Sequence, residues 1–392
     1  MGQYPWINFG FNLNNLNFNS WIQLGECFSK CEHIAKIPLR PEISKIMHYT
    51  YLAKGVLATT AIEGNTLTED EVRMLLDKKL TVLPSREYLK QEVDNIITLC
   101  NEIKDSIRQS KSFSITVEEI CRYNKVVLNN VLREGQEYVI PGEFRKYPVV
   151  VGSYKAVDHE DIPELMQKLC DWLNSKEFEI VKNKPPIING IIKAIIAHLY
   201  IAWIHPFGDG NGRTARILEF AILSCSGVPS PAAQLLSNHY NLTRNEYYLQ
   251  LDAASKKNNV FNFLSYAIQG LRDGLVEQLG YIFIQVLQIS WENFIYETFR
   301  EYKHSQVTTK RRRALVLELS RHEPVPLDKL TSMSPNISEY YKDRSQMTLV
   351  RDINALMNEL KLIVKEEKGY RAKIEIMFLF YPPQAQQGEA SN

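Results

Sequence analysis

"IIKAIIAHLYIAWIHPFGDGNGRTARILEF", residues 191–220, is the stretch on which the reading of this 392-residue chain turns. Its first part, Ile191 to Ile204, is the most apolar run in the sequence. It is too short to span a bilayer and carries Lys193 and His198, so it reads as a buried central helix. That helix ends at His205-Pro206, a loop with Gly208, Gly210 and Gly212 follows, and "RTARILEFAIL" opens a second helix with Arg213 and Arg216 in its first turns. Glycines let successive backbone N–H groups converge on an anion, and the new helix adds its positive end. Two arginines three apart share a face and supply forked donors for phosphate oxygens. Asp209 offers the hard oxygen that Mg²⁺ takes alongside phosphate. His205, with an ordinary pKa of about 6.5, takes up a proton near neutrality. The spacing therefore predicts a polyphosphate site. It is not a Walker A loop, because no Lys-Ser/Thr follows the glycines. Nor is it a dinucleotide fingerprint, which needs a preceding strand where this chain has a helix.

Working outward, the segments upstream have helical spacing. A short strand-like piece and a helix near Trp21 to Lys36 are expected first. Pro41 at a helix N1 with Glu42 behind it then opens a helix running to Glu63. Next come a start after Thr68 in capping-box form and helices over Ser85 to Ile107 and Thr116 to Leu132. The end of the second helix, "TTAIEGN" (residues 59–65), breaks a local rule. Gly64-Asn65 stops it, yet Glu63 places a negative charge where the helix dipole is already negative. A positive partner is expected there. The run "YVIPGEFRKYPVVVGSYKAV", Tyr138 to Val157, is rich in Tyr and Val, is broken by Pro-Gly, and reads as a β-hairpin. Helices then return to about residue 300.

Bulk composition agrees with a globular helical protein: 45% hydrophobic residues, 10% aromatic and a formal net charge of +1. No global basic field announces nucleic acid, and no acidic excess announces disorder. The six cysteines lie in helix-like segments, as reduced thiols would. Cys27, Cys31 and His33 are close together, but no fourth metal ligand is evident. The N-terminus shows neither a signal-peptide pattern nor, with Trp6 at the sixth position, a myristoylation pattern. A cytoplasmic protein with no membrane partner is expected.

"HPFGDGNGRTAR", residues 205–216, resembles the Fic family motif, His-Pro-Phe-x-Asp/Glu-Gly-Asn-Gly-Arg-x-x-Arg, with every fixed position present. The resemblance implies a mainly α fold, a Fic helical core with a small β-hairpin flap; separately, the order helix, turn, helix, capped helix from Ser345 and two short strands around Lys368-Gly369 resembles a C-terminal winged-helix domain. The Fic resemblance implies an autoinhibited protein adenylyltransferase, moving AMP from ATP to a Ser, Thr or Tyr hydroxyl of a protein target, with Mg²⁺, and releasing pyrophosphate. The target could be the chain itself. By position, His205 would be the general base and Asp209 the Mg²⁺ ligand. Gly210, Asn211 and Gly212 would form the anion nest, with Asn211 near the α-phosphate, and Arg213 and Arg216 would hold the β- and γ-phosphates. Related Doc kinases carry Lys at the second motif glycine, so Gly212 argues for nucleotidyl transfer. The flap, Val150, Val151, Gly152, Ser153 and Tyr154, would dock the target segment as an added strand. "LLSNHYNLTRNEYYLQL" resembles the segment closing the adenine pocket, where either Tyr240 or Tyr247 could stack on the base. Thr59, Glu63 and Gly64 match an inhibitory helix ending in Ser/Thr-x-x-x-Glu-Gly/Asn, and Glu63 is expected to pair with Arg216.

Five segments are expected: 1–110, an N-terminal helical region with the inhibitory helix; 111–265, the Fic core; 266–304, connecting helices; 305–381, a winged-helix-like domain; and 382–392, a tail. In the fourth, a recognition helix over Ser345 to Leu360 would expose Gln346, Thr348 and Arg351, and the basic run Lys310 to Arg313 would assist at phosphates. DNA is a candidate partner for this segment; protein docking and homodimer contact are the others. The competing functions are a nucleotide-sensing DNA-binding or docking regulator with little turnover, and a Fic transferase using another nucleotide.

Overall fold

The computed structural model describes residues 4–109, 113–132, 134–152, 154–182, 185–257 and 259–378. The chain divides into two compact units, residues 1–281 and 282–392. The first contains helices α1 (Phe18–Lys36), α2 (Pro41–Ala61), α3 (Glu69–Leu76), α4 (Glu87–Arg108) and α5 (Val117–Val127). The hairpin strands β1 (Val150–Val151) and β2 (Tyr154–Lys155) follow, then α6 (Ile162–Leu173), α7 (Ile187–Ile204), α8 (Asn211–Cys225), α9 (Leu235–Leu242) and α10 (Arg244–Lys256). Helix α11 (Val260–Arg300) starts in this unit and ends in the second.

Helix α7 lies at the centre. It is the one helix among the described residues long and apolar enough to cross a membrane, and 83% of it is buried inside the protein. It packs on α8, which α2, α4 and α5 also contact. The first unit is thus a layered helical core with the His205–Gly210 loop at the junction of its two most buried helices. The start signals act as expected. Thr68 accepts from Glu71 N and donates its own backbone N–H to the Glu71 carboxylate, a complete capping box. Pro41 occupies the first turn of α2.

Two expectations need correction. The N-terminal strand-like piece is a 3-10 turn, Leu13–Asn15, capped by Asn12. The hairpin over Tyr138 to Val157 shrinks to Val150–Lys155, paired Val150↔Lys155 and Val151↔Tyr154. Its upstream half, interrupted by Pro141, Gly142 and Pro148, takes another route. It lays Phe144 against Phe207 as an isolated bridge and buries Arg145 among carbonyls, which a regular strand could not do.

In the second unit, α12 (Gln306–Leu319), α13 (Pro335–Tyr341) and α14 (Gln346–Asn354) precede the antiparallel strands β3 (Ile363–Glu366) and β4 (Gly369–Ala372). Helix α14 continues through a π turn, Ala355–Glu359. Trp291, Leu315, Leu330, Ile337, Leu349 and Leu356 are central to its apolar core. The basic run Lys310 to Arg313 is only half a surface patch: Lys310 is exposed and Arg313 half-buried. Arg311 and Arg312 are buried and both bond the buried Asp352 of α14, with Arg311 Nε to Oδ2 at 2.6 Å and Arg312 Nε to Oδ1 at 2.7 Å. Tyr341 donates to the same carboxylate at 2.9 Å. These two charges tie α12 and α13 to α14; on α14, Gln346 and Arg351 are exposed as expected, whereas Thr348 is half-buried.

Candidate functional site

The loop between α7 and α8 is held from several sides. His205 caps α7 in the left-handed region, φ 50° and ψ 58°, an uncommon conformation for a residue with a side chain. Asn211 folds its amide back on Phe207, accepting from its N–H and donating to its carbonyl, both at 2.9 Å. Asn124 of α5 donates to Asp209 O at 3.0 Å and to Thr214 Oγ1 at 3.2 Å. Gly210 has φ +75°, and a Cβ there would press on Asn124 and Leu128. Arg145 completes the bracing. Its backbone N–H donates to Pro206 O, and its guanidinium donates to the carbonyls of His205, Tyr147 and Val157 at 2.8, 2.7 and 2.5 Å. One buried cation therefore joins the loop to the base of the hairpin. Its partners are scattered carbonyls, so no sequence motif reveals it.

Beside this loop lies a cavity of about 750 Å³. Its polar end is formed by His205, Asn211, Gly212 and Glu63, its apolar end by Ala202, Trp203, Tyr247, Tyr248, Leu249 and Leu251, and its rim by Val151, Gly152 and Tyr154 of the hairpin. Ser153, also expected in the hairpin tip, lies outside the described residues. Of the two tyrosines proposed for the base, Tyr247 lines the cavity, where its hydroxyl meets His198 Nε2 at 2.9 Å. Tyr240 does not line it. It stacks behind Tyr247, centroids 4.8 Å apart, and donates to the buried Glu219 at 2.9 Å. Tyr248 and Asn245 line the cavity but were not anticipated; the register of α10 decides which aromatic faces inward, and periodicity alone left that open.

Glu63 meets its expected partner. Arg216 Nη2 donates to Glu63 Oε1 at 2.6 Å and to Thr59 O at 2.8 Å. Arg244 bonds the Ile62 carbonyl. The C-terminus of α2 thus faces two guanidinium groups, which offset both its dipole and the carboxylate beside it. Gly64, at φ +95°, makes the turn. Burial disfavours the Glu63 charge, but Arg216 outweighs it and holds the carboxyl below its usual range. Burial likewise works against the Arg216 charge, and Glu63 outweighs it in turn, so both groups stay ionised. The Glu63 carboxylate also sits directly on Gly212: a Cβ there would collide with Oε1 and lie 3.1 Å from Arg216 Nη1. It therefore occupies the mouth of the anion nest at the start of α8.

The remaining charges are internal too. Arg213 bonds Glu92 of α4 at 2.8 Å and Asp209 at 3.0 Å. Neither motif arginine lines the cavity with Glu63 in place. Yet Arg213 Nε and Arg216 Nε and Nη1 have no hydrogen-bond partner although buried. Such orphaned donors are costly unless an anion completes them. Asp209 Oδ2 has only a long contact, 3.4 Å from Gln136 Nε2, so it retains lone pairs for a cation.

His205 is kept neutral. Burial is the main cause, Arg145 adds to it, and the pKa falls to about 4. Its Nδ1 lies 3.4 Å from Ala202 O. A carbonyl only accepts, so Nδ1 carries the proton and Nε2 keeps its lone pair.

A neutral imidazole, the Asn211-Gly212 backbone and an aromatic wall share one cavity on a helical core, and the orphaned donors of Arg213 and Arg216 lie outside its lining. Residues 114–223 match the model of the Fic/DOC family. It is 30% identical over 226 residues to protein adenylyltransferase fic-1 of Caenorhabditis elegans, covering 55% of this chain and 41% of that protein. It is 32% identical over 199 residues to protein adenylyltransferase Fic of Nematostella vectensis, covering 50% and 42% respectively. The alignments thus span about two-fifths of the length of these curated relatives. A Fic family protein from Desulfovibrio desulfuricans G20 has the same fold over 90% of this chain and 94% of its own, with TM-score 0.53 and 20% identity. A segment of C. elegans Fic-1 aligns over 67% of this chain and 73% of its own, with TM-score 0.54 and 23% identity.

Proposed function

We propose that this chain is a protein adenylyltransferase that transfers AMP from ATP to a protein hydroxyl and is held off by Glu63. The observation that carries the reading is the Glu63 carboxylate seated on Gly212 and bonded to Arg216, beside a neutral His205 on the same cavity. An anion site occupied by an internal anion is a site in waiting. When Glu63 withdraws, the orphaned N–H groups of Arg216 and Arg213, with the start of α8, receive the β- and γ-phosphates. The base lies in the apolar end against Tyr247 and Tyr248. The target hydroxyl enters along the hairpin rim, where Val150 and Val151 are 64% and 44% exposed and offer a strand edge.

His205 Nε2 takes the hydroxyl proton as the hydroxyl oxygen bonds to the α-phosphorus. The bond from that phosphorus to the bridging oxygen breaks, and pyrophosphate leaves with the electron pair. Asp209, through Oδ2, would hold Mg²⁺, which neutralises phosphate charge when bound. Low basicity in the free protein suits the step, since the triphosphate's charges raise the imidazole pKa toward neutrality. The test is mass spectrometry of the Glu63→Gly protein after incubation with each of the four nucleoside triphosphates. A mass gain of one AMP with ATP, lost in His205→Ala, is expected. No adduct with any nucleotide on the chain or on proteins from the same cell would refute the reading.

A further inference from the structure

A second carboxylate sits behind the phosphate site. Glu92, in the second turn of α4, accepts from Arg213 Nη1 at 2.8 Å through Oε1 and from Asn65 Nδ2 at 2.9 Å through Oε2. Asn65 follows the Glu63-Gly64 turn directly. It also donates to Leu89 O at 2.9 Å, accepts from Leu67 N at 3.0 Å, and donates its backbone N–H to Thr60 O at 3.1 Å. The two partners of Arg213 differ in kind. The Glu92 side chain is 10% exposed, on a helix, with one partner on each oxygen; Asp209 is 35% exposed, on the loop, with Oδ1 bonded to Gly210 N and Arg213 and Oδ2 only weakly to Gln136.

Resting on the adenylyltransfer reading above, we propose that Glu92 is a positioning residue of the phosphate site. It is the fixed partner that keeps the Arg213 guanidinium in register when Asp209 turns to a cation, and through Asn65 it couples that guanidinium to the turn presenting Glu63. Electrostatics requires such a partner. A buried guanidinium sharing its only carboxylate with a divalent cation would either drift or hold that carboxylate back. With Glu92 present, Asp209 can be surrendered while Arg213 keeps a full counter-charge, and its Nε and Nη2 become donors for phosphate. The shared Asn65 makes the arrangement two-way, because a shift of the Glu63 turn pulls on the carboxylate that orients Arg213. Sequence spacing does not reveal this link, since α4, the turn and α8 meet only in the fold.

The test is calorimetric titration of ATP into the full chain carrying Glu63→Gly, with and without Glu92→Gln, over a series of Mg²⁺ concentrations. The Gln amide has one acceptor oxygen, and its N–H₂ group opposes Asn65 Nδ2 or Arg213. We expect Glu92→Gln to weaken ATP binding about tenfold, or about 1.4 kcal/mol. It should also raise the half-saturating Mg²⁺ concentration severalfold, because Asp209 is then the sole carboxylate on Arg213. A role confined to fold stability would lower the melting temperature without moving the Mg²⁺ half-point. Glu92→Asp keeps the charge but not the reach and should move both readouts the same way, less far. Asn65→Ala with Glu63 intact should raise ATP affinity severalfold by loosening the turn. ATP affinity and Mg²⁺ half-point within twofold of the Glu63→Gly parent, in either folded Glu92 variant, overturn the positioning role; an unmoved affinity in Asn65→Ala overturns the coupling. If the Glu63→Gly parent itself binds no ATP, the adenylyltransfer reading fails, and this proposal fails with it.

Discussion

Replacing Glu63 by Gly should convert a closed anion site into an open one, and the structure sets the size of the effect. The Arg216–Glu63 contact is 2.6 Å between nearest atoms, with charge centres roughly 4 Å apart, where a unit pair is worth about 4 kcal/mol at an effective dielectric near 20. The Glu63 side chain is 33% exposed, and as it lines the cavity, water there screens the pair. Halving the figure on that account leaves about 2 kcal/mol that ATP must overcome to take Arg216, or about 30-fold in affinity. Glu63→Gly should therefore bind ATP about 30-fold more tightly and incorporate α-labelled AMP correspondingly faster at low ATP. Glu63→Gln separates charge from bulk: the amide still sits on Gly212 but gives up the ion pair, so an intermediate gain is expected. Calorimetry gives the affinity and radiolabel transfer gives the rate. Wild type and Glu63→Gly agreeing within twofold in both would show that the carboxylate does not compete with the nucleotide, and the reasoning would be wrong.

Four further outcomes are expected. Because burial holds His205 down to about 4, its base form is complete at neutrality; kcat/KM should stay flat from about pH 8 to 5 and fall below that, while kcat breaks at higher pH because bound phosphates raise the same pKa. The same depression costs stability in acid: the unfolded chain takes up the proton first, so thermal unfolding should be easiest as pH falls from about 6.5 toward 4. Tyr247→Ala should weaken ATP by about 1–2 kcal/mol as measured by calorimetry, whereas Tyr240→Phe, which stays behind it, should move affinity by less than about 0.5 kcal/mol. Asp352→Asn, which strands two buried guanidinium groups, should destabilise the second unit by about 3–5 kcal/mol in chemical unfolding.

The parts legible in the sequence are those whose chemistry is contiguous. Residues 205–216 carry loop, glycines and both arginines in one run, and the turn at Glu63 announces itself by breaking the helix-dipole rule. What escaped depends on long-range placement. Arg145 and Glu92 sit in ordinary segments, and their roles arise from partners far along the chain. The choice between Tyr240 and Tyr247 required the rotation of one helix against the next. Arg311 and Arg312 share a face with Leu315, Val316 and Leu319 at helical spacing, all of them buried, and a charge on an apolar face calls for a buried counter-charge. The hairpin was overextended because Tyr and Val content outweighed two prolines, each unable to donate to a ladder.

The bare backbone at position 212 has an evolutionary corollary. Glu63 Oε1 rests where a Cβ at 212 would stand, so a side chain there would push the carboxylate off the start of α8. A descendant with a larger residue there would have to turn the Glu63 side chain aside, which breaks its contact with Arg216. On the reading proposed above, a change at 212 would then alter regulation as well as the loop.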